Sequence, residues 1–90
     1  MVKYRGFNNT VIPYEVLKET VSKITYIAKG GYETLELKET SSNVWGDTFE
    51  DCVNKMIKRE EIKMAELYIQ LSAVEDRIEV LKNLKNENQL

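Results

Sequence analysis

The sequence predicts an α+β fold, in which a small N-terminal antiparallel β-meander is followed by a long C-terminal helix. Two observations predict it. Up to Gly46, apolar residues alternate with polar ones and turn residues are frequent, whereas after Gly46 there is no Gly or Pro and apolar residues recur with a helical period. We therefore expect a single domain over residues 1–90, with a β-sheet part at 1–43 and a helical part at 47–87.

The first two strands are predicted from alternation. Val2 and Tyr4 alternate with Lys3 and Arg5 before the turn dipeptide at 8–9. A second strand over about 10–18 places three apolar side chains on one face. These are Ile12, Tyr14 and Val16. Because Pro13 lacks an N–H group, this strand should lie at an edge or begin with an irregular pairing.

The next two strands form a predicted hairpin. Residues 23–29 place Ile24, Tyr26 and Ala28 on one face, and Gly30-Gly31 supplies the positive φ values that a two-residue hairpin turn needs. Residues 32–39 complete the hairpin, with two leucines on one face, and residues 40–43 are expected to be a polar loop. The sheet should therefore have three or four strands.

The helix is expected to begin at Asp47, with Asp47 as the N-cap and Glu50 in the N3 position of a capping box. From Thr48 to about Asn86 nothing in the sequence breaks a helix. Four charged residues at 58–61 leave open whether the helix is continuous or broken there. The sequence does not decide between the two.

Apolar residues in the second half form more than one helical face. One face, near the helix start, should pack on the sheet and consists of Phe49, Cys52, Val53, Met56 and Ile57. A second has heptad spacing and is called the seam; it consists of Met64, Leu67, Leu71, Val74, Ile78 and Leu81. A third consists of Ile62, Ile69, Ala73, Val80 and Leu84. We expect a homo-oligomer, a dimer or larger, assembled through this helix, and the alternative is a helix that folds back in a monomer.

The composition argues against catalysis. The chain has 13 Lys and Arg, 15 Asp and Glu, no histidine and one cysteine, Cys52, which should lie in the core. The carboxylates of the helix are interleaved with Lys and Arg, as on a solvated face. We expect no enzyme activity, no cofactor and no metal. Nucleic-acid binding is disfavoured by the net charge of −2. The absence of a signal peptide or long apolar segment favours a cytoplasmic protein without membrane contact.

Candidate ligand-binding residues lie in three places. Near Arg5, a cation, the Phe7 ring and the Asn8 amide fall within a few residues, which suits a nucleotide. The simpler alternative is an ordinary strand and turn. Trp45 is expected to pack between helix and sheet, with base stacking as the alternative. Arg77, beside the seam, could reach a pocket shared between subunits, although a salt bridge is the commoner role.

The chain resembles a family of small phage proteins that counter the Thoeris defence system and are known as sponges. In these, a β-region of the form IxxxEVxxET precedes an aromatic-DTxEEA helix start and a long charged helix. The matching stretches are VIPYEVLKET at 11–20, WGDTFEDC at 45–52 and LKNLK at 81–85. The chain departs from the pattern at Gly46 and at Cys52, which replaces the usual alanine.

The resemblance implies an oligomeric phage protein without enzymatic activity. It would sequester a cyclic nucleotide signal of the cyclic ADP-ribose type, and cyclic oligonucleotides in some cases, in the host cell cytoplasm. From their chemistry, the ligand-binding candidates are Arg5, Phe7, Asn8, Trp45 and Arg77.

Two other functions are open at this point. One is a non-catalytic inhibitor, anti-CRISPR-like or directed at another host protein, that binds through the third helical face. The other is nucleic-acid binding on the sheet by Lys3, Arg5, Lys23 and Lys29.

Overall fold

The computed structural model describes residues 1–87 and confirms the α+β class. These residues form the strands β1 (Val2–Phe7), β2 (Thr10–Glu19), β3 (Lys23–Ile27), β4 (Glu33–Leu37) and β5 (Asn43–Gly46), followed by the helix α1 (Phe49–Glu87). Every strand pairing is antiparallel, and the strand order is β4-β3-β2-β1-β5. The chain divides into two compact units, a first unit of residues 1–58 and a second unit that begins at residue 59.

Both turns lie where they are predicted, but the turn between β3 and β4 is longer than the two residues expected, since β3 ends at Ile27 and β4 begins at Glu33. Phe7 pairs with Thr10 across the two-residue turn at 8–9, where Asn8 has a φ of 55°. The Thr10 hydroxyl donates a hydrogen bond of 2.8 Å to the Phe7 carbonyl. Between β3 and β4, Gly30 and Gly31 have φ values of 93° and 83°. This left-handed region favours glycine because a Cβ would be strained there.

Strand β2 has a different neighbour along each part of its length. Residues 10–15 pair with β1, and pairing with β3 begins at Val16. The register shifts between Val16 and Lys18, which leaves Leu17 as a bulge residue. Pro13 lies opposite Tyr4, in the part of β2 that pairs with β1 and precedes the pairing with β3. A residue without an N–H donor is expected at such a position, because one side of the strand there has no neighbour in the ladder.

Strand β5 corrects the predicted boundary of the sheet. Residues 40–43 were expected to be a loop and the sheet to end at 43, but β5 pairs antiparallel with β1, Trp45 opposite Arg5 and Gly46 opposite Tyr4. All four residues of β5 are buried. The sheet therefore has one or two strands more than the three or four expected. A strand of four residues is too short to show a clear alternation of polar and apolar residues, and its partner, β1, is distant in the sequence.

One face of the sheet carries an aromatic core. Val16, Ile24, Tyr26 and Trp45 are buried together, with the Tyr26 and Trp45 ring centroids 4.8 Å apart. Tyr14 packs against this cluster, 5.0 Å from the Tyr26 ring. The alternation predicted for β2 and β3 is therefore confirmed.

Strand β4 turns its apolar face outward. Leu35 and Leu37 share a face, as predicted, but both are exposed, and it is the charged Glu36 between them that points into the first unit. The reason is chemical, since Glu36 meets several hydrogen-bond donors there.

The start of α1 packs on the other side of β1 and β5 through Cys52 and Met56, whereas Phe49 and Ile57 of the first helical face are about half exposed. Cys52 is fully buried, and its Sγ lies 3.9 Å from the Val44 carbonyl oxygen. The helix backbone comes so close to Gly46 that a Cβ there would lie 2.7 Å from the Cys52 Cα. Gly46 is therefore the residue that allows the helix to approach β5.

The helix cap is shifted by one residue from the prediction. Asp47 was expected to be the N-cap, but the Thr48 hydroxyl accepts a hydrogen bond of 3.0 Å from the Asp51 N–H. The Asp51 carboxylate in turn accepts a bond of 3.1 Å from the Asp47 N–H. Thr48 is thus the N-cap. Because Asp47 is not used as the cap, its carboxylate is available to bind Lys3.

The helix is continuous from Phe49 to Glu87, which resolves the question of a break at 58–61. The four charged residues there are good helix formers, and Glu60 pairs with Lys63 at 3.3 Å. Every residue from 60 to 87 is exposed. Within residues 1–87, the model has no helix both long and apolar enough for a membrane span.

Candidate functional site

A cleft of about 660 Å³ lies in the first unit and is called here the lysine cleft. Its walls come from β1, the end of β2, the start of β3, the end of β4, β5 and the start of α1. The lining residues are Lys3, Glu19, Val21, Ser22, Ile24, Leu37, Lys38, Glu39, Trp45, Gly46, Asp47 and Lys55. This volume falls within the range of small-molecule sites.

Lys3 is the most buried cation of the cleft, with only 11% of its side chain exposed. Strand alternation points it to the side of the sheet opposite Tyr4, and its Nζ lies 2.5 Å from Glu19 Oε1 and 2.9 Å from Asp47 Oδ1. A buried ammonium group requires such partners, because leaving it unpaired would cost several kcal/mol. Lys3 therefore joins β1 to the end of β2 and to the residue before the helix.

Two further lysines are more accessible. Lys38 Nζ lies 2.7 Å from Glu19 Oε2, so that both oxygens of Glu19 are paired with an ammonium group. Lys55 Nζ donates a hydrogen bond of 2.9 Å to the Trp45 carbonyl and lies 3.5 Å from the Asp51 carboxylate. About two fifths of the Lys55 side chain is exposed, so this amine can exchange partners at little cost.

The paired charges shift the pKa values of the cleft in the expected directions. Hydrogen bonds from Lys3 and then from Lys38 lower the pKa of Glu19 to about 2. The bond from Lys3 likewise lowers the pKa of Asp47. The pKa of Lys3 is raised by its bonds to Glu19 and Asp47, against a smaller effect of burial. All three groups are therefore ionised at neutral pH.

The cleft has the chemistry of a binding site for a polar, phosphate-bearing molecule. The ammonium groups of Lys38 and Lys55 can bind phosphate oxygens, and the carboxylates of Glu19, Glu39 and Asp47 can accept bonds from hydroxyl or amino groups. Ile24 and Trp45 add an apolar wall. Formal charges of the lining residues cancel, so the ligand would need donors as well as anionic oxygens.

A second polar group lies beside the aromatic core and is called the Glu36 cluster. Glu36 Oε1 accepts hydrogen bonds from Arg5 Nε at 2.7 Å and from Trp45 Nε1 at 2.7 Å, and a third from Asn43 Nδ2 at 3.2 Å. Its Oε2 accepts bonds of 3.3 Å from Arg5 and from the Tyr26 hydroxyl. Because Glu36 satisfies four side chains at once, the cluster holds the sheet together.

The structure brings Arg5, Phe7 and Trp45 together, but gives Arg5 and Trp45 another partner, Glu36. The Arg5 guanidinium is bound by Glu36 and lies 5.3 Å from the Phe7 ring centroid. Trp45 is 4% exposed and lies in the core, but it packs against Tyr14 and Tyr26 on the sheet face opposite the helix start, and not between helix and sheet as expected. Asn8 is in the β1–β2 turn. Arg77 is an exposed helix residue of the second unit.

Of the residues that line the cleft, sequence reasoning named as binding candidates only Trp45, for a nucleotide, and Lys3, for nucleic acid. Lys3 and Lys38 lie 35 positions apart in the chain and meet only through Glu19, so no local motif marks them. No local signal marks Glu36 either, since its place between two leucines fits the ordinary alternation of a strand whose polar side faces solvent. Its inward direction depends on donors from β1 and β5, which the sequence pattern does not place.

Comparisons of the chain with known protein families, with curated proteins and with solved structures found no match. The resemblance to the Thoeris sponges therefore stays a prediction.

Proposed function

We propose that the protein is a non-enzymatic phage anti-defence protein. It would bind a cyclic nucleotide immune signal of the cyclic ADP-ribose type in the lysine cleft and hold it unchanged in the host cytoplasm. The observation that carries this proposal is the cleft itself, in which Lys3, Lys38 and Lys55 adjoin an apolar wall. Cyclic oligonucleotides are a second ligand class of the same chemistry.

The mixed charge of the cleft suits this ligand class. Cyclic ADP-ribose carries phosphate oxygens for the lysines and also hydroxyl and amino donors for carboxylates. Lys38 and Lys55 are exposed enough to leave their present partners for a phosphate, whereas Lys3 is fixed between Glu19 and Asp47. Lys38 and Lys55 are therefore the expected phosphate-binding residues, and Lys3 a positioning residue for the carboxylates.

The lack of catalysis in this proposal agrees with the chemistry of the first unit. The Cys52 thiol is buried against β5, and burial raises its pKa, so it is a poor nucleophile. The chain has no histidine to act as a base near neutral pH. A bound signal molecule would therefore be released from the protein chemically unchanged.

Isothermal titration calorimetry and native mass spectrometry with cyclic ADP-ribose and a cyclic dinucleotide test the proposal. We expect stoichiometric binding of at least one of the two and release of the intact ligand on heating. Lys38→Ala and Lys55→Ala should each weaken binding by about tenfold, as expected for loss of one charge-assisted hydrogen bond. Lys63→Ala, in the second unit, is the matched control and should bind normally. Absence of binding to both compounds, or a chemically altered ligand, overturns the proposal.

Protein binding is the second candidate function, and one observation favours it. Ile62, Ile69 and Val80 of the third helical face are each more than half exposed. Such a face suits a host-protein inhibitor that acts through the helix. A pull-down that recovers one stoichiometric host protein, and that loses it in Ile69→Asp and in Val80→Asp, would support this function over ligand capture.

A further inference from the structure

Over the residues that the structure describes, 59–87, the second unit has no core of its own. Each residue from 60 to 87 is exposed, and the six seam side chains are 47–63% exposed. A helix with a continuous apolar stripe gains most of its stability from packing that stripe against another surface. The 3-4 spacing of the seam is that of helices packed in a coiled coil.

The seam ends in opposite charges. Continuing the heptad spacing one step before Met64 reaches Glu60, and one step after Leu81 reaches Lys85. Both positions belong to α1 and to the described residues. A partner for this face must therefore offer a base opposite Glu60 and an acid opposite Lys85.

A second copy meets this requirement in one orientation and not in the other. In a parallel, in-register pair, each seam residue faces its own counterpart, so Glu60 faces Glu60 and Lys85 faces Lys85. In an antiparallel pair that matches the apolar seam, Met64 faces Leu81, Leu67 faces Ile78 and Leu71 faces Val74. The next position in that register sets Glu60 opposite Lys85 at both ends of the pair.

Residues that flank the seam favour the same orientation. With the seam at heptad positions a and d, Arg77 is at position g and Lys82 at position e. In a parallel pair, Arg77 of one helix would lie beside Lys82 of the other, and the two cations would repel each other. In the antiparallel register, Lys82 lies beside Glu61 of the second copy instead. The two-fold symmetry of such a pair repeats each attraction, as in most homodimers.

We infer that the second unit is a dimerisation helix that pairs with the same helix of a second copy in antiparallel orientation, with the Glu60 carboxylate against the Lys85 ammonium. The pairing covers the seam and leaves the third helical face uncovered. The inference does not depend on a ligand in the lysine cleft, and its test uses no ligand.

Disulfide trapping tests the register. Two full-length variants, Glu60→Cys and Lys85→Cys, are mixed, allowed to exchange and oxidised mildly. We expect a covalent dimer in which peptide mapping finds position 60 joined to position 85. Each variant alone should give no disulfide at its own position. The unsubstituted protein is the control for Cys52, which is buried and should stay reduced.

Charge exchange tests the same contact without a disulfide. Sedimentation equilibrium should show a dimer for the unsubstituted protein and about tenfold weaker association for Glu60→Lys. The double variant Glu60→Lys/Lys85→Glu should recover most of that loss. Since both variants lose the pair between Glu60 and Lys63 within one helix, only the contact between chains explains the recovery.

Four results would overturn the inference. The first is a monomer in sedimentation at about 100 µM, because a dissociation constant above this concentration would be weak for a specific pair. The second is a disulfide formed by either cysteine variant alone. The third is a dimer whose mixed variants form no disulfide. The fourth is a double variant whose association stays as weak as that of Glu60→Lys, which would contradict the contact between Glu60 and Lys85.

Discussion

The Glu36 carboxylate accepts a hydrogen bond of 2.7 Å from the indole N–H of Trp45, and this bond joins β4 to β5, the two outermost strands of the sheet. The same oxygen accepts the bond from Arg5 Nε in β1. A carboxylate in this position is therefore a structural centre, and its neighbours lose their partner if it is removed.

Replacement of Glu36 should be among the most destabilising changes in the first unit. Glu36→Leu leaves the Arg5 guanidinium and the Trp45 N–H without their acceptor, and we expect a loss of about 3–5 kcal/mol in the free energy of unfolding. Glu36→Gln keeps one acceptor oxygen and should lose less. Urea denaturation measures both. Glu33→Gln on the same strand is the control, and an equal loss there would contradict the role of the cluster.

Gly46→Ala should destabilise the packing of the helix start on β5. The added Cβ would lie 2.7 Å from the Cys52 Cα, and backbone atoms cannot move away as a flexible side chain can. We expect a loss of about 2–4 kcal/mol, within the range for overpacked sites. Gly6→Ala is the comparison, because its nearest neighbour is the movable end of the Met56 side chain. Thermal melts should rank Gly46→Ala as the more damaging change.

Acid should weaken the first unit through Glu19. Since its folded pKa is about 2 and its unfolded value is near 4.5, the ionised form stabilises the fold above pH 4.5, and this contribution is lost as the pH falls from about 4.5 to about 2. Urea denaturation at pH 7, 4.5 and 2.5 should show this decline. Glu19→Gln should be less stable at pH 7 and flatter over the same range. An unchanged slope in that variant would argue that other carboxylates dominate.

Cys52 should react with thiol reagents only after unfolding. The side chain is fully buried and burial raises its pKa, so the thiolate is both rare and shielded. At pH 8, labelling by a disulfide reagent should be at least about 100-fold slower in the native protein than in 6 M guanidinium. Comparable rates in the two conditions would mean that the helix start separates readily from β5.

The sequence allowed the strands with regular alternation to be predicted because β2 and β3 bury one side of each ladder. It also allowed the long helix to be predicted, since nothing after Gly46 interrupts it. Strand β5 was missed because its partner β1 lies some 40 positions earlier in the chain. The lysine cleft was missed for the same reason, as Lys3, Glu19 and Lys38 come together only when three strands are aligned.

The contact of Glu36 with Trp45 also bears on how the sheet avoids other chains. Outermost strands usually present unpaired backbone groups that can recruit a further strand and lead to aggregation. Here β4 and β5 are tied to each other through Glu36, and Glu39 forms an isolated bridge to Val44 close by. Loss of the Glu36 carboxylate would therefore expose the backbone groups of two edge strands. A variant at this position should form fibrillar or amorphous aggregates at concentrations where the unsubstituted protein stays in solution.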